Sequence, residues 1–184
     1  MVDGWKVPKS SGRRRRLALG ILAAVGLVAL TAACQTSPQW SYTGAVVQPD
    51  NRLMIEDGGP HPVRWENRDL ILDYEYEKSP DQIRMLGRVA LQDGNAKFPA
   101  IKRMHVDVHF LDANGLILDT GRLWTSGFWE PMMLVNWSFD RTWAIPAGTS
   151  MIGFSYSGTV GEQGSGPGKD DGGGGVEWDF WQGP

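Results

Sequence analysis

Beyond residue 40 the apolar residues recur at every second position, and no stretch of a dozen residues there carries the 3.6-residue spacing of an amphipathic helix. A period of two belongs to strands that turn one face to a core, so this part of the chain is confined to sheets. Leu70, Leu72, Tyr74 and Tyr76 fall on one side of a segment running from 70 to 77, with Asp73, Glu75 and Glu77 on the other. Residues 83–91 make a second strand, in which Gly87 marks a bulge or a close approach. Met104, Val106, Val108 and Phe110 alternate with Arg103, His105, Asp107 and His109, which reads as a strand with one buried and one wet face. Asp112-Ala113-Asn114-Gly115 supplies a turn, because Asn and Gly tolerate positive φ, and residues 116–120 return as the second arm of a hairpin. Further strands are expected at 134–143, where Val135, Trp137, Phe139 and Trp143 share a side, and at 151–160. Many short strands punctuated by Gly and Pro predict an all-β fold: a single antiparallel β-sandwich over residues 40–160.

The first 33 residues follow another logic. Arg13 to Arg16 form a positive block, and the 17 residues from Leu17 to Ala33 are uncharged, with only Thr31 polar. This is the charged-then-apolar layout of a secretory signal. The run is also just long enough to span a bilayer as a helix, which needs roughly 17–25 residues, so a retained anchor is the alternative. The sole cysteine separates the two readings. Leu30-Thr31-Ala32-Ala33-Cys34 resembles the lipobox of bacterial lipoproteins, and the resemblance implies a diacylglyceryl group on Cys34, cleavage before it and acylation of the new amino terminus. Residues 34–39 then form a lipid-anchored tether, since several acyl chains on one residue hold a membrane stably. Arg14-Arg15-Arg16-Leu17 has a weaker likeness to a twin-arginine signal. Gln35 after the cysteine implies, by the same resemblance, an outer-membrane location facing the periplasm; the alternative is the inner membrane, anchored by residues 17–33. With Cys34 acylated no thiol remains, and the domain is expected to stand on its core alone.

Six of the 18 Lys and Arg and one of the 21 Asp and Glu lie in residues 1–33, which leaves 12 basic against 20 acidic residues, a net of -8, for the rest. A domain that acidic is repelled by phosphate backbones, so no nucleic-acid partner is expected. Gly87-Arg88-Val89 and the run Val106-Asp107-Val108-His109-Phe110-Leu111-Asp112-Ala113-Asn114-Gly115 resemble the core of FxLyD-type envelope domains. That resemblance spans roughly 40 residues and implies an immunoglobulin-like sandwich with an interaction role and no catalytic set.

Residues 161–175 are dominated by glycine and read as a linker, followed by an aromatic C-terminal strand over 176–184. Val176, Trp178 and Phe180 would share one face of it, with Glu177, Asp179 and Trp181 on the other. Closing such a linker costs about 2.4 kcal/mol by the logarithmic loop law, and burying one large aromatic returns a similar amount. The tail is therefore expected to dock, either on its own domain or by β-augmentation on a partner.

Several residues invite chemistry. His105, Asp107 and His109 project to one side and form a weak candidate metal cluster, although about 13 Å of extended strand separates the histidines. Asp73, Glu75 and Glu77 read as a solvated face, and Asp170-Asp171 lacks the spacing of a calcium loop. Gly153-Phe154-Ser155-Tyr156-Ser157-Gly158 only approximates a nucleophile elbow and lies in a strand pattern. Trp124, Phe128 and Trp129 surround Gly127 in an expected loop, where they would grip a protein or stack on a sugar. No cofactor is implied, and an enzyme is not expected. The chain reads as a lipid-anchored envelope β-sandwich that binds a protein partner, with candidate contacts at Trp124, Phe128, Trp129, Trp178, Phe180 and Trp181. The alternative is a carbohydrate-binding module that uses the exposed Trp and Phe side chains. Replacing Cys34 by Ser is expected to abolish incorporation of labelled palmitate and to release the protein from the membrane fraction.

Overall fold

The computed structural model describes residues 42–92, 95–162 and 176–184. The expected signal, Cys34 and most of the glycine linker lie outside them. Within the described residues ten strands form two antiparallel sheets. The six-stranded sheet holds β1 (Leu53–Met54), β5 (Ala100–Leu111), β6 (Ile117–Thr125), β7 (Glu130–Pro131), β9 (Met151–Gly161) and β10 (Glu177–Gln182). The four-stranded sheet holds β2 (Gly58–Glu66), β3 (Leu70–Lys78), β4 (Gln82–Leu91) and β8 (Ser138–Ala144), in the order β2-β3-β4-β8. Along the larger sheet the order is β1-β9-β5-β6, with β10 also on β9 and β7 also on β5. The chain is an all-β sandwich.

Side chains from both sheets meet in one apolar layer that includes Leu72, Tyr74, Met85, Val106, Val108, Phe110 and Phe154. Trp65 of β2 and Tyr74 of β3 lie 5.2 and 5.6 Å from the Phe154 ring of β9, which ties the sheets together through tilted and edge-on aromatic contacts. Gly87 is a close approach: a Cβ there would run into the carbonyl of Asp73 and the side chain of Tyr74. The expected turn is present. Asp112 Oδ1 accepts from the amides of Asn114 and Leu116 at 2.8 and 2.9 Å, and Gly115 takes a φ of +85°.

Two expectations about strands fail for identifiable reasons. The strand expected at 134–143 begins only at Ser138, because Met132–Leu134 form a 3-10 turn. The intervening backbone bonds elsewhere, Asn136 O accepting from Trp124 Nε1 at 2.9 Å and Trp137 O from the Val89 amide at 2.9 Å. The second failure concerns the wet face of β5, since Asp107 and His109 are buried. Residues 42–52 fold across that outer surface, where Val47 packs with Leu111, Ile117 and Met151 in a second small core and Tyr42 stands edge-on to His109 at 5.4 Å. Strand β2 was not expected at all: two Gly and two Pro break the alternation that Val63 and Trp65 would otherwise advertise.

Strand β10 docks on its own domain, paired with β9 from Glu177↔Gly161 to Gln182↔Tyr156. Phe180 supplies the anchor. Its ring fills the space over Gly158, where a Cβ would lie 2.5 Å from Phe180 Cζ. Truncating a buried Phe to Ala typically costs about 3–5 kcal/mol. Urea unfolding of Phe180→Ala is expected to show a loss of about 3 kcal/mol, whereas Trp181→Ala, on the exposed side, should cost less than about 0.5 kcal/mol.

Candidate functional site

The six residues of β10 divide by side. Trp178, Phe180 and Gln182 share register positions with Val160, Gly158 and Tyr156, whereas Glu177, Asp179 and Trp181 pair with Gly161, Thr159 and Ser157 on the outer side. Lys102 Nζ reaches both Glu177 oxygens at 2.9 and 3.0 Å. The Thr159 hydroxyl donates to Asp179, and the side-chain amide of Asn67, between β2 and β3, donates to Gln182. With these anchors β10 is held by both sheets. Its two tryptophans are nonetheless left largely open, Trp178 at 55% and Trp181 at 70% exposure. Only β9 pairs with β10 among the described residues, so the other edge of this strand is free. β1 occupies the same edge of β9 farther along, at Met151 and Ile152; between them Asn51 Nδ2 donates to Phe154 O at 2.7 Å and closes the gap.

Beside Trp178 lies a cleft of about 430 Å³, completed by Arg68, Asp69, Asn95 and Phe98. Asp69 is buried and fully engaged. Tyr156 donates to its Oδ2 at 2.7 Å, Arg68 reaches both oxygens at 3.1 and 3.3 Å, and Asn95 donates to Oδ1 at 3.4 Å. Burial works to raise its pKa, but the hydrogen bonds from Arg68 and Tyr156 prevail and hold the carboxyl below its ordinary value. The Tyr156 phenol is pushed up, by burial first and then by the carboxylate. A second depression, of about 520 Å³, sits between Gly58-Gly59 and Lys78–Gln82 and has no aromatic wall.

The outer face carries a polar network in three rows. Trp181, Ser157, His105 and Thr125 follow one another across four strands; next come Ser155, Asp107 and Arg122, then His109 and Thr120. Arg122 Nε lies 2.6 Å from Asp107 Oδ1. Burial raises the Asp107 pKa against the pull of Arg122, and burial followed by the Arg122 charge lowers that of His105. His105 Nε2 is 3.5 Å from Ser157 Oγ and 3.9 Å from Asp107 Oδ2. One nitrogen thus faces both groups, whereas a relay needs the hydroxyl and the orienting carboxylate on opposite nitrogens. Among the described residues no three of His, Cys, Asp and Glu are grouped to hold a metal ion.

The aromatic residues singled out in the sequence scatter. Trp124 belongs to β6 instead of a loop and is buried, stacked on Trp137 with the planes 7° apart and the centroids 5.3 Å apart. The bulge opposite Val106 and Asp107 turns it inward. Phe180 is buried as described. Trp129, with a φ of +51°, is half-buried, and Lys102 Nζ lies 5.5 Å from its ring centroid, so it does not form an open platform. Phe128 remains exposed. The structure therefore brings His105, Asp107 and Trp181 onto one face and leaves Trp178 at a cleft. Sequence reasoning missed Arg68, Asp69, Asn95 and Phe98; they come from separate segments, and only the Asn67 side chain accepting from the amides of Asp69 and Leu70 leaves a local turn signature. Comparison with family models, curated proteins and solved structures yields no match to this chain. The class established is an all-β protein of two packed antiparallel sheets.

His109 sets a pH dependence. Its ring nitrogens lie 2.8 Å from the hydroxyls of Thr120 and Ser155, and burial lowers its pKa to about 4. An unfolded histidine titrates near 6.5, so the unfolded chain takes up this proton first. The contribution is complete above about pH 6.5 and is lost as the pH falls toward 4, by roughly 3 to 4 kcal/mol at about 1.4 kcal/mol per unit. Chemical unfolding across that window is expected to show a falling stability in the native protein and a flatter profile in His109→Gln.

Proposed function

We propose that this chain is a lipid-anchored envelope protein, attached through Cys34, whose β-sandwich binds a protein partner through the C-terminal strand. The observation that carries the reading is the pair of exposed tryptophans on β10, a strand otherwise fixed by an ion pair, two side-chain hydrogen bonds and a buried Phe. Tryptophan is enriched where binding energy concentrates, and a rigid mount spares the ordering cost on association. An outer-membrane location facing the periplasm belongs to the same reading, with an inner-membrane anchor as its alternative. A carbohydrate-binding role is the second reading. It is favoured by Trp181 standing in register with Ser157 and His105, an aromatic ring beside a polar row.

Photo-crosslinking in intact cells separates these. A photoreactive residue at position 181 is expected to give a discrete protein adduct, and one at position 141, on the exposed part of β8, none. Equal labelling at both positions, or none at either, would count against the partner reading. Trp fluorescence changing on titration with cell-wall oligosaccharides, and lost in Trp181→Ala, would favour the carbohydrate reading instead.

A further inference from the structure

The cleft beside Trp178 narrows the chemistry of the partner, an inference that rests on the protein-partner reading above. Its walls are the rings of Phe98 and Trp178, and its polar side is the Arg68–Asp69 pair with Asn95. Asp69 already receives Tyr156, Arg68 and Asn95, so an entering cation finds no vacant acceptor there. An entering carboxylate would face Asp69 and a chain with 20 acidic against 12 basic residues beyond position 33. An aromatic side chain meets neither obstacle. It can pack against two rings and offer its face to the Arg68 guanidinium, whose side chain is 82% exposed.

Trp178 joins the cleft to β10. Sheet edges are ordinarily guarded by prolines, charges or covering segments. β2 carries Pro60 and Pro62, which cannot donate to a ladder. β8 presents Asp140, held by Arg84, and Arg141. The far end of β6 is covered by residues 44–46, which exchange backbone hydrogen bonds with Ile117. β10 has Trp178 and Trp181 instead, and of its two acidic residues Glu177 is paired with Lys102 while Asp179 accepts from the Thr159 hydroxyl. We infer that the free edge of β10 accepts a basic, extended segment of a protein partner as an added strand, with an aromatic side chain of that segment seated between Phe98 and Trp178. Strand addition takes affinity from the main chain and specificity from pockets at alternate positions, and Trp178 stands where such an alternate side chain would arrive.

Two fluorescein-labelled peptides test this against the full chain in detergent: Lys-Val-Lys-Tyr-Lys-Val-Lys and the same sequence with Ala in place of Tyr. The Tyr peptide is expected to bind at least tenfold more tightly by fluorescence anisotropy. Phe98→Ala and Trp178→Ala should each remove that ratio, with Arg141→Ala leaving it intact; urea unfolding verifies that the variants are folded. Equal binding of the two peptides, or a ratio that survives both cleft variants, would overturn the inference. So would equally tight binding of a Glu-for-Lys version, which removes the charge argument. A crosslinked protein adduct from position 181 together with a Tyr/Ala ratio of one rejects the aromatic anchor alone, whereas loss of that adduct rejects the partner reading beneath it.

Discussion

The contact between the Phe180 ring and the hollow over Gly158 decides what the C-terminal end of this protein is. Without it, closing a connection of about 15 residues would cost about 2.4 kcal/mol, with only an edge ladder, one partly exposed ion pair and two side-chain hydrogen bonds in return. With it, burial of one large aromatic offsets that cost, and the rest of the strand follows into register. The cleft depends on the same contact, because Trp178 is held two residues away on the same side of the strand. The fixed position of Trp181 depends on it too. A glycine that any side chain would fill is thus the seat of the candidate surface.

Burial of the outer face of β5 follows from a different covering. Residues 42–52 place Val47 and Tyr42 over one end of the larger sheet, and this turns what would be a hydrated row into a partly dry one. Every ionisable or hydroxyl group in that row then needs a partner. Thr120, His109 and Ser155 satisfy one another, Arg122 holds Asp107, and His105 stands at the open end near Ser157. The pKa directions along the row follow the same gradient, since burial heads the causes at His109, Asp107 and His105 alike. A network so closely matched within itself reads as structural support for the sheet.

Much of the fold was legible. The alternation at 70–77 and 104–110 and the strand expected at 151–160 appear as β3, β5 and β9, and the Asp112–Gly115 turn has the geometry that its residues require. What could not be read depends on contacts between distant segments. Nothing in Trp124, Phe128 and Trp129 distinguishes them locally, yet a bulge buries the first, a packed Lys102 restrains the third, and the second faces solvent. The alternation of Arg103, His105, Asp107 and His109 is that of a wet face, and only the crossing of residues 42–52 makes it otherwise. The cleft was invisible for the same reason. Asp69 and Phe98 come from two separate connections and Trp178 from β10, and no spacing in the chain links them.

The entry of the chain has a mechanical consequence. Tyr42 and Val47 pack against Leu111 and Met151, at one end of β5 and β9, whereas Trp178 is level with Val160, near the other end of β9. At about 3.4 Å per residue the span from 151 to 160 is roughly 30 Å. Tension applied upstream of Tyr42 therefore loads the end of the sheet remote from the cleft. It bears first on the small Val47 core and the Asn51 bridge.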